Sequence, residues 1–505
     1  MPITSMPAGR GSVHDALARD RLGPLAIGSA IASSVAPLTV ITLSVPLSLA
    51  ATGLISFPIA IIMVAAILMI YAVGYLAMAR HIPNAGAFYA YVAHGLGRPI
   101  GVGTAWFALA TYNAFQLCCY GAFSAAIGAP LLSDWLRFNV PWLIPALVAW
   151  ALVAVLGANE VKIAGAVLVV LVVAETLLVA LYSIAIMLSP GFAFTSAAMS
   201  LDLSGQSPAA LATTLGVLVI LGATSFAGVE QSVVYVEESK DPKRTIPVAT
   251  YVTIAAIGAV YWFGSWVQIS AGGPQVIDRA SAEGADLFFN QAAAALGQGS
   301  LTVGKILLGT GTLAAAIAFH NAITRYMFAL GREGVLPRVF GHTTLKGAPR
   351  KASLAQTVVA LVVLIGYALA GWDPLVQLFY WGSTAGGFGV LLLYTVTSVS
   401  VVAFFARGAR GEGLWQRLIA PLIATAILLF VTYLAITNLP TLFGVDPGTG
   451  PARVVPLAFL VVFAAGTVWG LILRHTKPTV YRGIGSGTRS PEASSLSSRF
   501  AERTL

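Results

Sequence analysis

The chain alternates between long apolar runs and short polar connections. A bilayer core about 30 Å thick takes roughly 20 apolar residues per helix. Runs of that kind cover residues 25–50, 54–79, 100–128, 141–157, 163–188 and 209–236, then 247–270, 302–330, 353–371, 375–405, 417–438 and 453–473. The pattern predicts twelve membrane-spanning helices, with 141–157 and 353–371 the shortest. Barrel strands are excluded, because the runs are too long and lack a two-residue alternation.

Composition sharpens this reading. Charged residues are 9% of the 505 and hydrophobic ones 58%, with a mean hydropathy of +0.86. A soluble protein carries about 25% charge, so this chain cannot cover a water-facing surface of its size. It reads as an all-α integral membrane protein with the lipid bilayer as a partner. The net charge of +9 sits in short loops and tails, with no aromatic-rich basic face, which excludes a nucleic-acid partner. With the N-terminus cytoplasmic, 24 of the 28 Lys+Arg fall on inside segments and only Arg137, Arg279, Lys305 and Arg453 outside. That bias places both termini in the cytoplasm of a cell-membrane protein. Met1–Arg21 has no apolar core of its own and does not read as a cleavable signal peptide. The adjacent Cys118 and Cys119 are poorly spaced for a disulfide with each other and read as small buried hydrophobes.

Two runs are interrupted in the same way. The first contains SSVAPLT, with Pro37 near its middle, and the sixth contains SFAGVE, with Gly228. Proline removes a backbone donor and clashes with the preceding turn; glycine leaves helical geometry cheaply. Broken backbone at membrane depth is tolerated only against protein or a water-filled cavity. The interruptions lie five spans apart, so spans 1–5 and 6–10 read as repeats, inverted because each holds an odd number of spans. Matched interruptions of this kind point to a transporter's central site. The expected organisation is a tail (1–22), a ten-helix inverted-repeat core (23–405), two additional helices (406–474) and a cytoplasmic, disordered tail (475–505).

Four stretches then carry a resemblance. FAGVEQSVVYVEESKDPKRTIPVAT (Phe226–Thr250), IPNAGAFYAYVAHGLGRPIG (Ile82–Gly101), NEVKIAG (159–165) and RYMFALGREGVLPRVF (Arg325–Phe340) resemble the amino acid–polyamine–organocation superfamily of permeases. The resemblance spans roughly residues 20–440. It implies a five-plus-five inverted repeat (LeuT-like) with two additional C-terminal helices, and import or exchange of amino acids, polyamines or related organic cations.

The ends of a broken helix supply the site chemistry. N–H groups at the start of a second half-helix suit a carboxylate, and carbonyls at the end of a first half suit an ammonium. The unwound stretches are expected at Ser33, Ser34, Val35, Ala36, Pro37, Leu38 and Thr39, and at Ser225, Phe226, Ala227, Gly228 and Val229. Many members of the superfamily carry Gly-Ser-Gly in span 1, where this chain has SSVAPLT. Pro37 offers no N–H, which weakens the expected carboxylate clamp. Glu175 lies twelve residues into span 5, about 18 Å deep, where an ionised carboxylate costs at least ~2.5–3.5 kcal/mol. It is a candidate proton carrier; a structural hydrogen bond is the other reading. The resemblance implies a lysine linked to proton coupling at this place in some members. Glu230 follows the span 6 break and reads either as a gating acid or as an anchor for the exposed N–H groups. The resemblance also implies substrate contact by Asn113 and by Phe319, beside the embedded His320.

No continuous ring of charge lines a channel. The six histidines (14, 81, 94, 320, 342 and 475) show no ligand spacing, so neither a metal, a cofactor nor enzyme chemistry is expected. The reading is a secondary active transporter of amino acids or related amines, coupled to protons or working by exchange. A substrate-sensing transceptor and an organic-cation or polyamine permease stay open. The oligomeric state is not readable.

Overall fold

Prolines in the first turn open many of the helices, where the missing N–H costs nothing and the fixed φ is already helical. In the computed structural model, which describes residues 22–158, 161–201, 207–344 and 347–487, Pro24, Pro58, Pro99, Pro242, Pro374 and Pro451 all take this position. The long helices are α1 (Pro24–Thr52), α2 (Phe57–His81), α3 (Arg98–Leu136), α4 (Leu143–Gly157), α5 (Val161–Met187) and α6 (Pro208–Ser225, resuming over Val229–Tyr235). They continue as α7 (Pro242–Gly272), α8 (Gly299–Arg332), α9 (Arg350–Leu369), α10 (Pro374–Ala406), α11 (Trp415–Phe443) and α12 (Gly450–Thr476). No strand is found among the described residues beyond one bridge between Leu22 and Ser239. Eleven helices among the described residues are long and apolar enough to cross a membrane. The other, α4, has 15 residues and at 1.5 Å per residue spans only about 22 Å.

The helices divide by what surrounds them. In α1 83% of the most apolar window is buried, and in α12 17%, so α1 runs through the centre and α12 along the edge. Leu177, Leu181 and Ile184 of α5, Val358 and Val362 of α9, and Leu460 and Val461 of α12 lie exposed. Such a belt would aggregate in water and is ordinary against lipid. Glycines set the close approach of α12 to α3: a Cβ on Gly466 would come within 2.9 Å of the Gly103 Cα, and one on Gly470 within 2.8 Å of the Pro99 Cα. Four-residue spacing of small residues is how membrane helices approach without a hydrophobic drive.

One face carries both described chain ends. The Leu22 N–H donates to the Glu238 carbonyl at 3.0 Å. At the other end the chain folds back after α12: Pro478–Gly483 is helical, and the N–H groups of Gly485 and Gly487 donate to the Glu333 carboxylate at 2.8 and 2.9 Å. The first part of the expected disordered tail is thus docked chain, because a buried carboxylate holds its backbone. The rest of the tail, the N-terminal tail before Leu22 and Asn159 of the span 4–5 motif lie outside the described residues.

Candidate functional site

The break in α1 is narrower than the seven-residue stretch expected from sequence. The helix holds through Val35, and Ala36 alone turns left-handed (φ 44°, ψ 78°) before Pro37 restarts it. A left-handed alanine is strained, and proline is suited to a helix start, so one residue is enough. In an unbroken helix Ser34 and Val35 carbonyls would accept from Leu38 and Thr39. Here the Leu38 N–H donates instead to Glu175 Oε2 at 3.2 Å, and the Val35 carbonyl accepts from the Tyr261 hydroxyl at 2.7 Å. A Cβ on Gly311 would stand 2.2 Å from Glu175 Oε1, so that glycine makes the seat for the carboxyl.

The α6 break is built likewise. Phe226 and Ala227 donate N–H groups back to Ala223 and Thr224, and Gly228 turns at φ 118°. The Gly228 N–H donates to Glu230 Oε2 at 2.9 Å. Tyr112 and Tyr394 hydroxyls donate to the same carboxyl at 2.9 and 2.6 Å. The two breaks touch: a Cβ on Gly228 would lie 2.5 Å from the Ser34 Cβ, and the Ser34 hydroxyl meets Gln231 Oε1 at 3.0 Å.

A cavity of about 100 Å³ adjoins them. Of the residues expected there, Ser34, Val35, Ala36, Thr39, Ser225, Ala227 and Phe319 line it. The others do not. Ser33 donates to the Leu168 carbonyl of α5, Phe226 packs edge-on against Tyr261, and Pro37, Leu38, Gly228 and Val229 are buried behind the lining. Asn113 donates to the Leu109 carbonyl of its own helix and faces α9, where its oxygen accepts from Gln356 at 2.7 Å. His320 sits in the same polar network, between Gln116 and Ser353. Glu175 and Glu230, 1% and 2% exposed, stand just outside the lining, each bound to one break.

Sequence reasoning missed most of the wall. Phe115 stacks on Phe319 with ring centroids 4.9 Å apart and planes within 7°. Cys118, Cys119, Thr224 and Thr312 line the cavity, as do Phe379, Tyr380, Ser383 and Thr384 of α10. The cysteine pair stands out in the sequence, but there it reads as small buried hydrophobes. No Asp, Glu, Lys, Arg or His is among the lining residues, and no cluster that could hold a metal occurs among the described residues.

The cavity extends to Leu47 and Leu442, away from the face with the chain ends. Toward that face it is closed in layers. Next to Glu230 come Tyr71, Tyr75, Tyr91 and Phe88, packed ring to ring, with Tyr394 against Tyr71. Beyond them lie the ion pairs Arg325–Glu238 at 2.5 Å and Arg332–Glu237 at 2.7 Å. The cavity is thus shut off from that face. Cys118 and Cys119 are free and are the only cysteines of the chain. A ligand in the cavity should shield them, slowing thiol alkylation about tenfold at ten times its Kd, as occupancy requires. Alkylation unaffected by a ligand that binds would place the binding site elsewhere.

A model of the amino acid permease family matches residues 23–471. The low-affinity putrescine importer PlaP of Escherichia coli K12 is 24% identical over 358 residues, covering 68% of this chain and 72% of its own. The histidine permease HisP of Lactococcus lactis is 27% identical over 270 residues, 50% of this chain and 54% of its own. A histidine permease of Saccharomyces cerevisiae is 24% identical over 200 residues, 37% of this chain and 31% of its own.

Proposed function

Because the chain belongs to the amino acid permease family, we propose that it is a secondary active transporter, moving amino acids or related amines across the cell membrane by alternating access. One observation carries this reading: two broken helices meet at Ser34 and Gly228 beside a cavity closed toward one face and extending toward the other. A carrier needs such a site, open to one side at a time, at the junction of elements that can rock against each other. Twelve spans arranged as a five-plus-five inverted repeat plus two, with both termini cytoplasmic, complete the reading. Its support is the five-helix offset between the breaks and the lysine and arginine bias.

The chemistry of transport then follows from the two acids. While ionised, Glu175 holds the second half of α1 by a charge-assisted hydrogen bond. Protonation weakens that bond and frees α1 to move against α5 and α8. Glu230 plays the matching part on α6, tied through Tyr112 and Tyr394 to α3 and α10. Movement of substrate is thereby linked to a proton or to a returning substrate. The putrescine importer and the histidine permeases among this chain's relatives supply the first compounds to try, putrescine and histidine.

The test is uptake by purified protein in liposomes, with a panel of labelled amino acids and amines and a pH gradient of either sign. At least one compound should accumulate above protein-free liposomes. If none moves under any gradient, the transport reading fails. A protein that binds a compound yet shows no counterflow would be a sensor.

A further inference from the structure

We propose that the cavity takes a small monoamine cation with an apolar body and no carboxylate. This rests on the transport reading above and narrows the substrate. A zwitterionic amino acid needs donors for its carboxylate and acceptors for its ammonium. Breaks in helices ordinarily offer both. In this chain the leading N–H group of each break is already held by a carboxylate of the protein.

At the α1 break Pro37 has no N–H, and the next donor, Leu38, is held by Glu175. At the α6 break the Gly228 N–H is held by Glu230, while Val229 and Gln231 donate to the carbonyls of Phe226 and Gly228. Each break carries its own internal carboxylate. A substrate carboxylate would have to displace one that is seated against Gly311 or held by two tyrosine hydroxyls, and it would sit beside a like charge.

Four of the lining hydroxyls do not restore the missing donors, and the uncharged hydroxyls that remain, of Thr39, Ser44, Thr224, Tyr380 and Thr384, stand beside no Lys, Arg or His in the lining that would balance a carboxylate. Ser34 directs its proton to Ala30 or Gln231, Ser225 to the Leu221 carbonyl, Thr312 to Gly309 and Ser383 to Tyr380. A hydroxyl that has given its proton to its own helix presents only lone pairs. Such groups accept from an ammonium and offer nothing to a carboxylate. The Ser34 carbonyl, whose helical donor is diverted to Glu175, adds an acceptor beside the cavity. So does Thr39 Oγ1, a buried hydroxyl with no partner among the described residues, which can accept as well as donate.

A second ammonium fares no better than a carboxylate. No acidic side chain lines the cavity, and the walls leading away from the breaks hold Leu43, Leu47, Phe379 and Leu442 with only uncharged hydroxyls between them. Burying a charge there without a partner is costly. The stacked Phe115 and Phe319 offer a flat apolar wall for the rest of the molecule.

Three compounds on one skeleton separate the possibilities. Butylamine has the ammonium and the apolar chain; norvaline adds a carboxylate to it; putrescine adds a second ammonium. Affinities are measured calorimetrically on the full chain in lipid nanodiscs at neutral pH. Butylamine should bind at least about tenfold more tightly than either analogue, a gap of about 1.4 kcal/mol. Equal or tighter binding of norvaline or putrescine, or no binding of butylamine, overturns the assignment. Pro37→Gly restores one donor and should narrow the gap to norvaline; an unchanged gap in a folded variant, judged by its melting temperature, counts against it. Counterflow of the bound compound keeps the two readings apart. Norvaline bound best and transported refutes the substrate class and leaves the permease standing. Butylamine bound best with no compound moved refutes the permease and leaves the binding chemistry.

Discussion

Glu175→Gln is expected to abolish uptake driven by a pH gradient while leaving counterflow exchange within about threefold of the parent, a change of roughly 0.7 kcal/mol in the barrier. The reasoning starts from the bond that the side chain makes. Its Oε2 accepts from the Leu38 N–H, and glutamine keeps a neutral oxygen of the same shape in the same place, so it stands in for the protonated carboxyl and leaves α1 held only by the weaker bond, free to rock. Glutamine cannot take up or release a proton, so coupling to a gradient is lost. Exchange of one substrate for another needs the same rocking without net proton movement. Gly311→Ala separates the two effects from the other side, since its new methyl would press on the carboxyl itself. It leaves an ionisable group but dislodges it, and should lower both activities. Equal loss of driven uptake and of exchange in Glu175→Gln would make Glu175 a structural cap. Unimpaired driven uptake would move proton coupling elsewhere, with Glu230 the next group to examine.

Glu175 was legible because depth in a membrane helix is nearly linear in residue number, so counting alone places a carboxylate twelve residues in near the bilayer centre. The breaks were legible for a related reason. Pro37 and Gly228 act on their own backbone, and their effect does not depend on what packs against them. What the sequence could not supply was direction across helices. Asn113 lies on the same helix as Phe115 and Cys118, yet its side chain turns to Gln356 of α9, because facing is decided by neighbours far along the chain. The Glu230 partners Tyr112 and Tyr394 sit on α3 and α10, 118 and 164 residues away, and no spacing rule links them. The α10 wall, Phe379 to Thr384, carries no motif at all. The α1 break is narrower than expected for a local reason: proline ends one stretch of helix, but Pro37 also starts the next.

The two charged motifs that stand beyond α6 and in α8 find their reason in each other. Glu237 and Glu238, from the stretch following α6, meet Arg332 and Arg325 of α8, so that stretch and the end of α8 form one closure over the face with the chain ends. Arg325 and Glu238 are the more buried pair, with side chains 3% and 1% exposed, and the guanidinium also lies 4.7 Å over the Tyr235 ring. Removing one partner leaves a buried charge alone, which costs about 3–5 kcal/mol, a large part of an ordinary stability margin of ~5–15 kcal/mol. Arg325→Met and Glu238→Leu should therefore each express poorly and melt well below the parent. Replacing both at once removes the stranded charge, and apolar pairs in such places are often neutral or stabilising, so the double variant should recover most of the loss. Recovery of the fold should come without recovery of the closure. In proteoliposomes sorted by orientation, an impermeant thiol reagent applied from the face with the chain ends should label Cys118 and Cys119 faster in the double variant than in the parent. If the double variant is as unstable as the worse single one, the pair is not the source of the penalty. If it is stable but labels no faster, the tyrosine layer around Glu230 closes that face without help from the ions.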